Sequence, residues 1–324
     1  MERSTGARAR QGTEFAVSLV ILAAVAVLPL AVANDYWRGV VIVSMYFAML
    51  AAAWNLLAGY TGQFSLAPAA FAMIGAYATG LLAYHFGAPP LVGIPAAIVV
   101  AGIIGFALGR IVLRLTGPYL ALTTLSFAEI MRLVISNSID ITRGDLGLNV
   151  PALFDNRLAS YYLMLGVLAA TQVGLFMLLR RPAGLYLRAI RDDEIAAVSR
   201  GVKVVLWKTN AFVISAAISG LAGALYGHFA GLVSPELGLI GQTGIIVSMV
   251  VIGGLGTLPG PIIGAFLVYI ASEYLRDFGG AQLIIFALLV IIFGRFFREG
   301  LWGLIVRPFT RPARQKTASA APEP

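Results

Sequence analysis

Residues 180–208 read RRPAGLYLRAIRDDEIAAVSRGVKVVLWK. Seven of them are basic (Arg180, Arg181, Arg188, Arg191, Arg200, Lys203, Lys208) and three are acidic (Asp192, Asp193, Glu194). On both sides of this charged interruption the chain is apolar enough to dissolve in lipid. Runs of about 18–24 apolar residues recur from end to end, the length at which an α-helix crosses a hydrocarbon layer about 30 Å thick. A polar segment set between such runs decides the fold class: an all-α polytopic membrane protein. A closed β-barrel would need period-two alternation, which these runs lack.

Composition agrees. The chain of 324 residues is 59% hydrophobic and 12% charged, with a mean hydropathy of +0.88, where a soluble domain carries about 25% charged residues. Its length alone would suggest about two domains, but the apolar runs override that. The net charge of +8 is read as basic residues at a membrane rim rather than as a nucleic-acid surface. There are no cysteines, which excludes disulfides, thiolate metal sites and cysteine nucleophiles.

Spans are expected near 16–33, 39–58, 63–86, 91–113, 118–135, 160–179, 209–231, 243–257, 262–276 and 281–297, about ten in all. Gly and Pro interrupt 59–68 and 253–261, so helices there are expected to be short or discontinuous. Threading ten spans with the N-terminus inside puts 18 of the 23 basic residues on one side. Those lie in residues 1–15, the Arg110/Arg114 turn, residues 180–208 and the tail from Arg295. By the positive-inside rule that side is the cytoplasm. Trp37, Trp207 and Trp302 fall near expected span ends, where interfacial aromatics belong. A cleaved leader ending at Ala31-Val32-Ala33 competes with an uncleaved first span. The length of the run and the spans that follow favour the uncleaved reading. The expected organisation is thus a cytoplasmic N-terminus (1–15), a transmembrane domain (16–298) with an outer loop (136–159), and a largely disordered cytoplasmic tail (299–324).

Within the charged loop, Leu185, Arg188, Ala189, Asp192, Ala196 and Ser199 lie at helical spacing, with Gly201 as a stop. One short helix across the cytoplasmic face is expected, presenting Ala196 and Ala197 as a small flat patch beside charges of both signs. Such a patch lets a partner approach closely while the charges fix its register. Against that stands a solvated loop that only anchors topology.

Charge at membrane depth is sparse. Glu129 and Arg132 stand three apart and can pair on one helix face, and Glu273 with Arg276 repeats the spacing. Glu129 is a pathway candidate because ionisable groups in lipid are functional by default, although both pairs sit near the outer rim. Gly223, Gly227 and Gly231 form a ridge for close helix packing, as do Gly105 and Gly109. The clusters GYTGQFS (59–65) and GGLGT (253–257) read as broken helices of a translocation route. Gln63, Ser65, Thr123, Thr124, Gly254 and Gly256 join Glu129 as candidate pathway liners. No Gly-Lys pair occurs, so a phosphate-binding P-loop is excluded. His85 and His228 lack the spacing of a zinc site, and no catalytic cluster is visible. The chain is read as neither an enzyme nor a metal or cofactor binder.

Four stretches, GYTGQFSLAPAAFAMIGAY (59–77), GPYLALTTLSFAE (117–129), RAIRDDEIAAVSRGVKVVLWKTNAFVISAAISGLAG (188–223) and GGLGTLPGPIIGA (253–265), resemble the permease subunits of branched-chain amino acid ABC transporters. The similarity runs from about Ala51 to Phe297. It implies the importer-type (type II-like) permease fold of about ten spans in a bacterial inner membrane. It implies a pore shared with a sister permease, two ATP-binding cassette subunits that use ATP and Mg, and a periplasmic substrate-binding protein. It also implies a coupling helix over 188–201, with Arg188, Ala189, Arg191, Asp192, Glu194, Ala196, Ala197 and Gly201 meeting the ATPase. Two departures stand out: Ala67-Pro68 where many relatives have Gly-His, and Asp192-Asp193 in place of Glu-Asn. The first leaves urea, short amides and other amino acids open as substrates. A self-sufficient secondary transporter would normally need buried mid-membrane acids, which are missing here, and an embedded enzyme is disfavoured by the missing catalytic cluster.

Overall fold

The computed structural model describes residues 2–31, 34–112, 115, 117–278, 288, 291 and 300–306. All of the expected tenth span (281–297) but residues 288 and 291, most of the 299–324 tail, Arg114 and the Val32-Ala33 cleavage position lie outside the described residues.

Apolar composition and caps together set the helix bounds. α1 spans Glu2–Ala31. α2 (Asp35–Thr61) starts where the Asn34 side chain accepts from the Tyr36 N–H, and ends at Gly62, left-handed at φ 71°. α3 (Pro68–Phe86) and α4 (Pro90–Val112) begin on prolines, which supply the φ of a first turn and lack an N–H that would go unbonded there. α5 is Pro118–Asn137 and α6 the single turn Ile139–Thr142. α7 (Arg157–Arg180) is capped by the Asn156 side chain. Next come α8 (Pro182–Asp192), α9 (Glu194–Ser199) and α10 (Val204–Ala230). α11 (Ile240–Gly253), α12 (Gly260–Tyr274) and α13 (Gly300–Val306) complete the described helices.

Among the described residues, seven helices are long and apolar enough to cross a membrane: residues 12–30 of α1, and α2, α3, α4, α5, α7 and α10. α11 and α12 are apolar but shorter. Nine of the expected spans therefore coincide with helices, and the Gly/Pro interruptions do break the helical path, at residues 62–67 and 254–259.

α2 is the axis of the bundle. Its apolar window is 94% buried, against 22% for α5 and 28% for α4. It is surrounded by α3, α7, α10, α11 and α12. Glycine sets the closest contacts. A Cβ on Gly220 would crowd Ala101, and one on Gly223 would run into the Ala72 backbone. Gly75 meets Gly220 in the same way. The packing ridge of α10 is thus Gly220, Gly223 and Gly227. Gly231, expected in that ridge, instead caps the helix in the left-handed conformation.

Successive helices alternate between two ends. Phe15 stacks on Phe176 with ring centroids 3.8 Å apart, which brings the start of the apolar part of α1 (12–30) to the last turns of α7. The Arg157 guanidinium donates to the Asp35 carbonyl at the other end. One end thus gathers Arg110 and the 180–208 segment, the other Arg38, Arg143, Arg157 and Arg276. At the second end residues 138–156 fold over the bundle. There β1 (Leu148–Asn149) pairs antiparallel with β2 (Leu232–Val233), Leu148 opposite Val233.

Candidate functional site

The 180–208 segment forms a helical hairpin and not the single helix its periodicity suggests. Asp193 is extended (φ −158°, ψ 108°), and its carboxylate accepts from the Ala196 N–H at 2.9 Å, starting α9 afresh. The reason is local: an aspartate offers the next turn a side-chain acceptor, which competes with continuing the helix. α8 lies on α2, α7 and α10, and Ile190, Ala197 and Val204 close a small apolar core between α8, α9 and α10.

That core reassigns several expected docking residues. Ala197 is buried and holds the hairpin together, so only Ala196 of the small pair faces outward. Glu194 accepts from the Lys208 ammonium at 2.6 Å, the lysine side chain being 8% exposed and the glutamate 41%. Arg191 turns inward, its Nη1 donating to the Gly59 carbonyl at 2.7 Å, while Nε and Nη2 reach Asp192. Arg188 lies 5.6 Å from the centre of the Tyr60 ring. Ala189, Asp192 and Gly201 are exposed, Gly201 in the left-handed region at φ 81°. Two apolar side chains of α9 stand well exposed, Ile195 at 80% and Val198 at 57%. Sequence reasoning passed over both because β-branched residues among charges read as helix filler.

The candidate pathway residues do not share one surface. Gln63, Ser65 and Thr124 are buried. The Thr124 hydroxyl accepts from the Leu66 N–H at 2.9 Å, tying α5 to the 62–67 break, and the Trp54 indole donates to the Ser65 carbonyl at 2.7 Å. The Gln63 carboxamide has no hydrogen-bond partner among the described residues. Thr123 and Glu129 lie toward the open face of α5, with Tyr119, Leu122, Ser126, Ile130 and Leu133 exposed along it. Glu129 takes two bonds from Arg132 Nε at 3.1 and 3.2 Å. The two side chains are 45% and 22% exposed, so the pair lies on the outside of the isolated chain. Gly254 and Gly256 sit in the α11–α12 turn at the basic end.

Asn55 is the polar residue that the sequence reading missed. It is buried in α2, donates to the Thr257 carbonyl at 2.8 Å and accepts from the Gly256 N–H at 2.7 Å. An amide in an otherwise apolar run was the available signal. The sequence reading also left unassigned a cavity of about 790 Å³ between α2, α10, α11 and α12. Tyr46, Tyr226, Tyr269, Gln242 and Ser248 line it, with Ile291 on one side, and none of the candidate pathway residues borders it.

The family described as branched-chain amino acid transport system / permease component matches residues 37–293. The high-affinity branched-chain amino acid transport system permease protein LivM of Escherichia coli is 33% identical over 92% of this chain and 77% of its own length. The LivH permease protein of the same organism is 27% identical over 80% of this chain and 93% of its own. The fructose import permease protein FrcC of Rhizobium meliloti is 27% identical over 68% and 65% respectively. No solved structure matches the chain.

Proposed function

The chain belongs to the permease family of branched-chain amino acid transport systems, and on that premise we propose that it forms half of the pore of an ABC importer. In this reading a sister permease supplies the other half and two ATP-binding cassette subunits dock on the α8–α9 hairpin. A periplasmic binding protein delivers the amino acid. The 180–208 segment, residues 1–15 and the 299–324 tail face the cytoplasm of a bacterial inner membrane, with residues 16–298 as the permease domain of about ten spans. ATP and Mg belong to the partner subunits.

The observation that carries this reading is the exposed apolar tip of α9. Ile195 and Val198 project from a hairpin in which Glu194 bonds to Lys208 and Arg191 to Gly59. An apolar knob rimmed by polar residues is the ordinary form of a protein-binding surface. It lies at the end richest in arginine, as a cytoplasmic surface should. Ile195, Ala196, Val198 and Gly201 then form the contact, with Arg188, Ala189 and Asp192 at its rim. The open face of α5 supports the sister permease. An ion pair facing lipid is costly, whereas one facing a partner helix or a watery passage is not. Thr123 and Glu129 are assigned to that passage, and Gln63, Ser65, Thr124, Gly254 and Gly256 to the segments that shape it.

The test is reconstitution of the complete importer with a Gly/Ser linker in place of residues 188–201. Uptake of leucine, isoleucine and valine is expected to vanish while the chain still inserts. Full uptake by that variant would refute docking through the hairpin. Pro68 beside the 62–67 break marks where the sequence departs from relatives, so urea, short amides and other amino acids are assayed alongside. Uptake of one of these, with none of a branched-chain amino acid, would move the substrate class and leave the pore assignment standing.

A further inference from the structure

Three elements meet at one guanidinium: α8, the end of α2 and the α11–α12 turn. Gly59, whose carbonyl takes the Arg191 bond, lies in the last turn of α2. Carbonyls there have no helical N–H to receive, and the helix end carries partial negative charge. Arg191 therefore caps α2 from the side of α8. One turn earlier, on the same face of α2, Asn55 holds both a carbonyl and an N–H of the α11–α12 turn. The junction has no slack. A Cβ on Gly256, which is left-handed at φ 74°, would stand 3.1 Å from the Gly59 oxygen and 3.3 Å from Arg191 Nη1. One on Gly62, where the 62–67 break begins, would stand 3.3 Å from Arg191 Cγ.

We propose that Arg191 is a positioning residue for transport, a strut that carries displacement of the α8–α9 hairpin into the breaks at 62–67 and 254–259, with Asn55 as the second link. This rests on reading the hairpin as the docking face for the ATPase. Directional bonds between closely packed backbones transmit a push, where apolar contacts slide. The two breaks can yield to it because neither is held by a continuous helical ladder.

The closing experiment has two readouts. In the reconstituted importer, Arg191→Ala is expected to keep its ATPase subunits and go on hydrolysing ATP. Leucine moved per ATP should fall about tenfold, the scale of a lost charge-assisted hydrogen bond. Arg191→Lys is expected to recover part of that loss. Asn55→Ala, whose site is buried beyond reach of a docking partner, should reproduce it; if that variant fails to insert, the Arg191 pair decides alone. Wild-type transport per ATP in Arg191→Ala would overturn the proposal. So would loss of the ATPase subunits on purification, which would make Arg191 a docking residue. The second readout needs no partner. The chain lacks cysteine, so spin labels at A196C and L255C report the hairpin-to-turn distance without background. Arg191→Ala should broaden that distribution, and an unchanged one would refute the strut even if the importer reading failed on its own account.

Discussion

Removing the negative partner of Lys208 should loosen the hairpin far more than removing both charges. Lys208 is buried at the start of the second turn of α10, with Glu194 2.6 Å away across the α9–α10 connection. A hydrogen bond between charged groups contributes about 1.5–3 kcal/mol. Glu194 is 41% exposed, and water screens that share of the interaction, so about 1–2 kcal/mol is the working figure. Glu194→Gln leaves the ammonium buried beside a neutral amide, whereas Lys208→Met removes the need for a partner and keeps the volume. The assay is amide hydrogen exchange across α9 and its exit. The Ala197, Arg200 and Val202 N–H groups there bond to Asp193, Ala196 and Ala197 carbonyls. Exchange at these sites in Glu194→Gln should quicken about 5- to 30-fold, the factor that 1–2 kcal/mol makes in a local equilibrium. The double variant should exchange more slowly than Glu194→Gln, giving a coupling of about 1–2 kcal/mol in the cycle. Effects that add to within about 0.5 kcal/mol would refute the claim that this pair fastens the hairpin.

Other outcomes follow from the same geometry. Gly223→Val should lose about 1–3 kcal/mol or more through collision with the Ala72 backbone. Thermal unfolding in detergent would read that loss, against Gly174→Val, which has open space and should shift stability by no more than about 0.5 kcal/mol. Asp193→Ala removes the cap of α9 and should cost about 1 kcal/mol, seen as faster exchange at Ala196 and Ala197, while Asp193→Asn keeps most of it. Glu129→Ala should lower the folded yield more than Glu129→Ala with Arg132→Ala, since the single change strands a guanidinium at membrane depth. Equal yields would show that Arg132 reaches the interface unaided.

The sequence made the membrane class, nine helix positions and both helix breaks legible, because hydropathy and Gly/Pro punctuation act locally. What it hid depends on partners distant in the chain. Helical spacing runs straight through Asp193, and only the competing side-chain cap divides α8 from α9. Glu194 looked free for a partner until Lys208 folded back onto it, and Arg191 likewise until Gly59 arrived from α2. Asn55 carried a weak signal, a lone amide among apolar neighbours. Its meaning came only with the α11–α12 turn, some two hundred residues later. Gly231 shared the spacing of a packing ridge, yet the end of α10 required its positive φ.

The cover formed by residues 138–156 has a further bearing. It is fastened by the Leu148–Val233 pairing, by the Val150 N–H on the Gly231 carbonyl, and by His228, which bridges the Pro151 carbonyl and the Thr79 hydroxyl. A segment that orders only on contact spends part of its interaction energy in doing so. Residues 138–156 are ordered by bonds within the chain. A partner that docked at that end would lose little conformational entropy in ordering it, so even a weak complex there could form and part quickly.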